Sequence, residues 1–143
     1  SRMGIGEFHS LIVKANERDA CRAVEPDLDE AAITRERAEI SGRELHRRSG
    51  RPVFVTVGAD GILIFDEGSM AHAPGIHVDG PLDIVGAGDS AMAGIVSALS
   101  AGASAVEAAQ VANLVASITV QQIGVTGTAS PAQVLARFRA QSA

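Results

Sequence analysis

Aromatic side chains are almost missing from this sequence: Trp and Tyr are absent, and only 3% of the 143 residues are aromatic. Hydrophobic residues nevertheless make up 46% of the chain, so its core must be built from Ala, Val, Ile and Leu. There is a single cysteine, Cys21, which excludes an internal disulfide. No histidine lies near it in the sequence, so we interpret Cys21 as a small buried hydrophobic residue rather than a nucleophile.

Long hydrophobic runs are also lacking. The longest nearly apolar stretch, residues 105–120, is interrupted by Glu107, Gln110 and Asn113, and no secretory or membrane-spanning segment is recognisable. The net charge is −5 and the pI about 5.3, which argues against a general role in binding nucleic acid or membrane surfaces. The four histidines show no metal-ligand spacing. These features predict a cytoplasmic protein with the length of one domain, or of a piece of one.

Short apolar runs alternate with helical patterns along the chain. Buried strands are predicted over residues 11–13, 53–57 and 62–65, and helices over 17–24, 27–48, 87–101, 104–122 and from Pro131 onward. In the second helix acids come first and bases last, as the helix dipole favours. The final helix is expected to carry Val134, Leu135 and Phe138 inward. Strands alternating with helices indicate an α/β fold with a parallel sheet covered on both faces.

The most informative stretch lies between residues 82 and 94 and reads LDIVGAGDSAMAG. Gly86 and Gly88 allow the backbone to approach a ligand closely. The helix that follows presents unpaired N–H groups and the positive end of its dipole to the same point. These features predict an anion pocket with Asp89 at its edge as a candidate proton acceptor. Phosphoryl transfer to a hydroxyl requires those two parts side by side.

Four segments resemble, in the right order, the motifs of the ribokinase-like (PfkB) carbohydrate kinases. Residues 83–89 resemble the C-terminal signature of that family, Asp-Thr-x-Gly-Ala-Gly-Asp. Residues 13–19 (VKANERD) resemble its Lys-Pro-Asn-x-x-Glu motif, and residues 55–61 (VTVGADG) its Thr-x-Gly-x-x-Gly nucleotide loop. Residues 112–113, with Gly124 beyond them, are similar to the helix and turn that line its adenine pocket. The resemblance therefore covers nearly the whole chain.

The resemblance implies the C-terminal portion of a ribokinase-like three-layer α/β/α fold with a mainly parallel central sheet. Residues 1–143 would be the nucleotide-binding and catalytic part of a kinase domain, without the N-terminal half that carries the sugar-binding glycines and the lid. ATP, Mg²⁺ and a monovalent cation are the implied cofactors, a sugar or sugar phosphate is the implied substrate, and a homodimer is a further expectation. The isolated piece is expected to be inactive. Residues 83–86 and 113–117 are similar to those of bacterial heptose-phosphate kinases.

Within this family Asp89 would be the general base, and Gly86, Ala87 and Gly88 would supply backbone N–H groups to the transferring phosphoryl group. Each residue also has a structural interpretation: Asp89 as an acid favourable to the helix dipole, and the glycines as a tight turn. Asp83 would orient the loop or help to hold a cation, or else would be a structural cap. Ile84 stands where the family usually has Thr, which removes a hydroxyl but leaves the backbone unchanged.

The remaining expected site residues belong to the nucleotide and metal side. Asn16 and Asp19 would act near the phosphates and Mg²⁺, although the family has Glu at the position of Asp19 and Pro at that of Ala15. Asn16 is also a natural helix N-cap. Thr56, Gly58 and Gly61 would border the nucleotide, but the same four-residue stretch from position 58 is a common hairpin turn. Asn113 would face the adenine base, or else be a polar residue satisfied inside a buried helix.

Three other interpretations follow from the same segment. Residues 86–91 match the dinucleotide fingerprint G-x-G-x-x-[GA], but residues 80–83 make a poor leading strand, and a second helix follows where a strand is required. Residues 88–90 match the Gly-Asp-Ser block of certain esterases, but no histidine follows His77 to serve as the general base. A non-catalytic, regulatory nucleotide-binding protein derived from a sugar kinase remains as the alternative to a kinase.

Overall fold

The computed structural model describes Glu7 and residues 9–141, and the chain divides into two compact units between Ala73 and Pro74. The first unit contains strands β1 (Val13–Asn16), β2 (Val53–Thr56), β3 (Gly61–Asp66) and β4 (Ser69–Pro74), the last of which ends at the division. Its helices are α1 (Glu17–Val24) and α2 (Arg35–Ser49). The second unit contains α3 (Ala87–Ser100), α4 (Ala105–Thr119) and α5 (Pro131–Gln141). The predicted α/β class is confirmed.

The four strands form one sheet in the order β1-β2-β3-β4. Strand β1 pairs in parallel with β2, because the two helices between them form a crossover long enough to bring the chain back to the same end. Strand β3 pairs antiparallel with β2, because only the short turn Gly58–Asp60 connects them. Within these strands the sheet is thus more antiparallel than the mainly parallel sheet that the resemblance implied.

The core of the first unit is built mostly from Ala, Val and Leu side chains, as the composition predicted, together with Cys21 and Phe65. Its buried members are Val13, Ala15, Ala20, Cys21, Ala38, Leu45, Val53, Val55, Val57, Leu63 and Phe65. Helix α2 lies so close to β3 that a Cβ added at Gly42 would be 2.1 Å from the ring of Phe65. Burial raises the pKa of the Cys21 thiol, which agrees with its interpretation as a buried hydrophobic residue.

Helix α2 begins later than predicted. The charge pattern predicted one helix over residues 27–48, but a separate 3₁₀ turn, Glu30–Ala32, precedes α2. Two side-chain caps cause the break: Asp29 Oδ1 accepts from the Ala31 N–H at 3.3 Å, and Thr34 Oγ1 accepts from the Arg37 N–H at 3.2 Å. Both capping residues have extended backbones, which a continuous helix does not allow.

Helices α3 and α4 pack through small residues. The buried positions of α4 include Ala105, Ala108, Ala109 and Ala112, and a Cβ added at Gly94 of α3 would be 2.9 Å from the Ala112 Cα. Helix α5 is less buried than predicted, since Leu135 and Phe138 are about half exposed. Among the described residues, no helix has the length and apolar character needed to cross a membrane.

Candidate active site

Two of the expected site residues in the first unit are neighbours at the end of the parallel strand pair. Asn16 is the last residue of β1 and lies in register with Thr56, the last residue of β2. The Thr56 hydroxyl donates to the Ala15 carbonyl at 3.3 Å, which ties the two strand ends together. Ligands of α/β proteins commonly bind beyond the carboxyl ends of parallel strands, where Asn16 and Thr56 lie.

Asn16 is also the N-cap of α1, as its structural interpretation predicted. Its side-chain Oδ1 accepts from the Asp19 N–H at 2.7 Å. This bond uses the backbone of Asp19, so it leaves the Asp19 carboxylate exposed in the first turn of the helix. Capping and ligand contact are therefore compatible for these two residues.

The turn after β2 has the geometry that its glycines suggest. Gly58 has φ +59° and Gly61 has φ +99°, and both angles are unfavourable for other residues. The Val57 N–H donates to the Gly61 carbonyl at 2.9 Å, which closes the turn. This is the hairpin turn of the structural interpretation, and it begins two residues beyond Thr56.

The predicted anion pocket lies at the start of α3 in the second unit. Gly86 is the N-cap, with φ +80° in the left-handed region, and it has no side chain to cap the helix. The Ala87 N–H donates to the Ile84 carbonyl at 3.1 Å, and the Ser90 N–H to the Gly86 carbonyl at 2.9 Å. Within residues 9–141 the structure records no acceptor for the N–H groups of Gly88 and Asp89. These two donors are available to an anion.

Acids occupy the third position of three helices: Asp19 in α1, Asp89 in α3 and Glu107 in α4. Glu107 is used structurally, because its carboxylate accepts from the N–H and the hydroxyl of Ser104 at 2.8 Å each, in a capping box. These bonds lower the pKa of Glu107. The carboxylates of Asp19 and Asp89 make no hydrogen bond or ion pair recorded in the described part of the chain. Their exposed oxygens are available to bind a substrate or a hydrated cation.

Asp83 connects the loop before α3 to the segment after α4. Its Oδ1 accepts from the Val85 N–H at 3.0 Å, and its Oδ2 accepts from the Gly124 N–H at 2.9 Å. Its own N–H donates to the Val120 carbonyl at 2.7 Å. The bonds from Gly124 and Val85 hold the pKa of Asp83 below its usual value, so the side chain is a carboxylate at neutral pH. This arrangement matches the loop-orienting interpretation of Asp83.

Asn113 lies on α4 and is 8% exposed. Its Nδ2 donates to the Pro74 carbonyl at 3.0 Å, as expected for a polar residue satisfied inside a buried helix. The bond joins residues 39 positions apart, so no local sequence pattern could have revealed it.

Gln122 was not predicted as a site residue, yet it shapes the segment that contains Gly124. Its Nε2 donates to the Thr128 carbonyl at 2.7 Å, and its Oε1 accepts from the Thr128 N–H at 3.1 Å. The side-chain amide thus pairs with both backbone groups of Thr128 and closes the loop between them. The sequence pattern predicted Gln122 as the last residue of a helix over 104–122, whereas α4 ends at Thr119, so no sequence signal indicated this role.

No carboxylate cluster suited to a metal is formed by the described residues: they contain no group of three or more His, Cys, Asp or Glu side chains placed to hold an ion. A site of few carboxylates completed by substrate phosphates and water, as Mg²⁺ commonly uses, is consistent with this finding. An apolar cavity of about 620 Å³ lies among α3, α4 and α5, lined in part by Ser90 of the first turn of α3 and by Val134, Leu135 and Phe138 of α5.

Comparison with protein families and curated proteins gives consistent matches. The model of one family, described as pfkB family carbohydrate kinase, matches residues 9–133. The chain is 33% identical over 120 residues to a 1-phosphofructokinase of Haloferax volcanii, covering 84% of this chain and 37% of that protein. It is 32% identical over 136 residues to the bifunctional protein HldE of Desulfatibacillum aliphaticivorans, covering 90% of this chain and 26% of that protein. The chain thus spans well under half the length of these relatives.

The fold is also found in solved structures. The Arabidopsis thaliana ribokinase complexed with ribose and ATP superposes with a TM-score of 0.76 at 25% sequence identity. The match covers 90% of this chain and 40% of that one. The ribokinase-like fold implied by the sequence motifs is confirmed by this likeness.

Proposed function

The chain belongs to the PfkB carbohydrate kinase family, and from this membership we propose that the protein transfers the γ-phosphoryl group of ATP to a hydroxyl of a sugar or sugar phosphate. The relatives support a phosphorylated sugar as one acceptor class, since one of them is named a 1-phosphofructokinase. The solved ribokinase with ribose and ATP supports ATP as the phosphoryl donor and a free sugar as the other acceptor class.

The first turn of α3 is the observation that carries this proposal. It presents the N–H groups of Gly88 and Asp89 together with the exposed carboxylate of Asp89. Catalysis of phosphoryl transfer consists mostly of positioning and of stabilising charge on the phosphoryl oxygens. Two backbone donors at the positive end of a helix can donate hydrogen bonds to those oxygens, and a carboxylate in the same turn can accept the proton of the attacking hydroxyl.

In this proposal Asp89 accepts the proton of the acceptor hydroxyl as that oxygen attacks phosphorus. Gly88 and Asp89 donate their N–H groups to the phosphoryl oxygens. Gly86 supplies the left-handed turn that starts the helix, and Ala87 fixes that turn because its N–H already donates to Ile84. Of the three residues expected to form the anion site, only Ala87 has an N–H with a recorded acceptor among the described residues; Gly86 and Gly88 keep theirs available, and the N–H of Asp89 is added to them.

We assign the nucleotide side from the family motifs, and the strand geometry supports this assignment. Asn16 and Thr56, adjacent at the strand ends, and the turn with Gly58 and Gly61 would hold the phosphates and ribose of ATP. Asp19 would hold Mg²⁺ through water. When bound, ATP and Mg²⁺ supply the phosphoryl group and neutralise its charge. These residues fit that task because their side chains end in oxygen or leave room for phosphate.

We place Asn113 beside the nucleotide, where it would face the adenine base. Its Nδ2 already donates to the Pro74 carbonyl. The adenine base would therefore contact a side chain whose orientation is already fixed before ATP binds.

The test is release of ADP by the intact protein with ATP, Mg²⁺ and a panel of pentoses, hexoses, heptoses and their monophosphates. Asp89→Asn should lower kcat by about 10²–10⁴-fold while leaving ATP affinity nearly unchanged, because only the base is lost. The matched control is Glu107→Gln, which changes the acid at the same position of the next helix and preserves a residue able to complete the capping box.

An unchanged kcat in Asp89→Asn would remove Asp89 from the role of base. ATP binding without acceptor-dependent ADP release would favour the regulatory nucleotide-binding alternative over a kinase. A decrease of equal size in Glu107→Gln would show that the effect of Asp89→Asn comes from the helix terminus in general rather than from the base.

A further inference from the structure

The loop before α3 carries the proposed catalytic turn, yet apolar packing does little to hold it. Ile84 and Val85, the two residues between Asp83 and the N-cap, are 78% and 75% exposed. Side chains with that exposure make few contacts that could fix the backbone. The conformation of the loop must therefore come from its hydrogen bonds.

Most of the polar contacts that fix this loop involve Asp83. Its carboxylate accepts from Val85 inside the loop and from Gly124 outside it, at 3.0 and 2.9 Å, and its N–H donates to the Val120 carbonyl at 2.7 Å. Bonds from backbone N–H groups to a carboxylate are stronger than bonds between neutral groups. One residue thus joins the start of α3 to the end of α4.

The segment that Asp83 contacts is itself held firmly. Gln122 pairs with both backbone groups of Thr128, and Gly127 lies so close to Thr119 that a Cβ added there would be 2.7 Å from the Thr119 carbonyl oxygen. Gly124 therefore belongs to a closed loop rather than to a free chain. A bond to a fixed partner restricts the loop before α3 far more than a bond to a mobile one would.

We propose that Asp83 is a positioning residue, which holds the loop before α3 against the closed segment after α4 and so fixes the N–H groups of Gly88 and Asp89 for phosphoryl transfer. This inference rests on the proposed function of the α3 turn. Both carboxylate oxygens accept backbone N–H groups, one inside the loop and one outside it, which is the arrangement that the loop-orienting role requires. Small displacements of catalytic groups are costly, and about 1 Å can reduce a rate by about 10²-fold.

The experiment compares Asp83→Asn and Asp83→Ala in the intact protein. Asn keeps one oxygen acceptor but places an NH₂ group against the other N–H donor, whereas Ala removes both acceptors. We expect kcat, corrected for the folded fraction, to fall in the order wild type, Asn, Ala, reaching about 10- to 100-fold in the Ala variant. The KM for ATP should change much less, because the residues assigned to the nucleotide are untouched.

Glu107→Ala is the matched control, since Glu107 is also a carboxylate that accepts a backbone N–H in the second unit, and Ala removes that acceptor as it does at position 83. It lies at the opposite end of α4, a helix of 15 residues and hence roughly 22 Å in length. If loss of such a bond acted only through stability, both substitutions would lower the folded fraction and leave the corrected kcat unchanged.

A second readout does not depend on activity. Hydrogen exchange of the Val85 and Gly124 amides, followed by NMR, should accelerate in Asp83→Ala and not in Glu107→Ala. Equal exchange in wild type and Asp83→Ala would overturn the inference, and so would a corrected kcat that Asp83→Ala leaves intact in an active protein. If the wild-type protein releases no ADP with any acceptor, the proposed function fails and this inference falls with it.

Discussion

Asn16 lies directly across from Thr56, each as the final residue of one of two parallel strands. The Thr56 hydroxyl bonds to the residue before Asn16, and the Asn16 side chain caps the helix that begins immediately afterwards. Two polar side chains from segments about 40 residues apart are thereby fixed at one strand end. The register of the two strands thus places side by side two residues that we propose to bind the nucleotide.

Substitution of Asn16 separates its two roles. Asn16→Ala should lower the free energy of unfolding by about 1 kcal/mol, because the Asp19 N–H loses its acceptor. Asn16→Asp should restore stability, since Asp caps helices as well as Asn, but should weaken ATP binding by bringing a negative charge close to the phosphates. Urea denaturation and ATP titration measure the two effects. Wild-type ATP affinity in Asn16→Asp would restrict Asn16 to capping.

Removal of the Asp19 carboxylate tests the metal assignment. Asp19→Ala keeps the N–H that bonds to Asn16, so the fold should be retained, while a higher Mg²⁺ concentration should be needed for half-maximal activity. The control is Glu17→Ala, which removes an acid from the same first turn. An identical Mg²⁺ titration in wild type and Asp19→Ala would exclude Asp19 from the metal site. Equal shifts in both variants would indicate a general effect of charge.

Enlargement of Gly94 should destabilise the second unit. A Cβ at this position would be 2.9 Å from the Ala112 Cα and 3.3 Å from the Ala112 nitrogen, so backbone must move to admit it. Gly94→Ala should therefore cost about 1–3 kcal/mol, even though Ala favours helices more than Gly does. Ser97→Ala, at an exposed position one turn later, is the control. Chemical denaturation that showed Gly94→Ala to be as stable as wild type would contradict the close approach.

Glu44 should make stability depend on pH in the acid range. Hydrogen bonds from Arg47 and then Arg48 lower the pKa of Glu44 from 4.5 to about 2. The folded state therefore binds this proton less readily than the unfolded state, and the stabilisation present above pH 4.5 is lost as the pH falls toward 2. Glu44→Gln should be less stable than wild type at pH 7, and its free energy of unfolding should decrease less steeply between pH 4.5 and about 2.

Urea unfolding at a series of pH values measures the contribution of Glu44. Glu36→Gln provides a comparison in the first turn of the same helix, where the side chain is exposed. If the free energy of unfolding fell equally steeply with decreasing pH in wild type and Glu44→Gln, the two arginines would not stabilise the ionised carboxylate.

Local signals in the sequence predicted most helices and strands. Asn16 followed by two acids defined the start of α1, and Ser130-Pro131 defined the start of α5. Strand β4 was missed because its sequence, SMAHAP, lacks the β-branched residues by which strands are recognised. The start of α2 was misplaced because charge order indicates helix direction but not the residue that caps it. Here Thr34, rather than the acids before it, provides the cap.

Contacts between distant segments could not be predicted in the same way. The motif identified Asp83 as important, but the bond to Gly124 spans 41 residues and depends on how α3 packs against α4. The apolar face of α5 was expected to be buried, because three apolar residues at helical spacing usually meet a core. Instead Val134, Leu135 and Phe138 line an open apolar cavity. Periodicity indicates which residues share a face, but not how closely a neighbour approaches that face.

The small residues between α3 and α4 have a consequence for conformational entropy. Ala and Gly have no side-chain rotamers to lose on folding, so these positions of the helix pair become ordered at little cost beyond that of the backbone. At the close approach of Gly94 to Ala112, neither residue has a rotamer that could switch and thereby change the spacing of the two axes. The start of α3 and the closed segment after α4, which Asp83 joins, are therefore held at a separation that backbone contact determines.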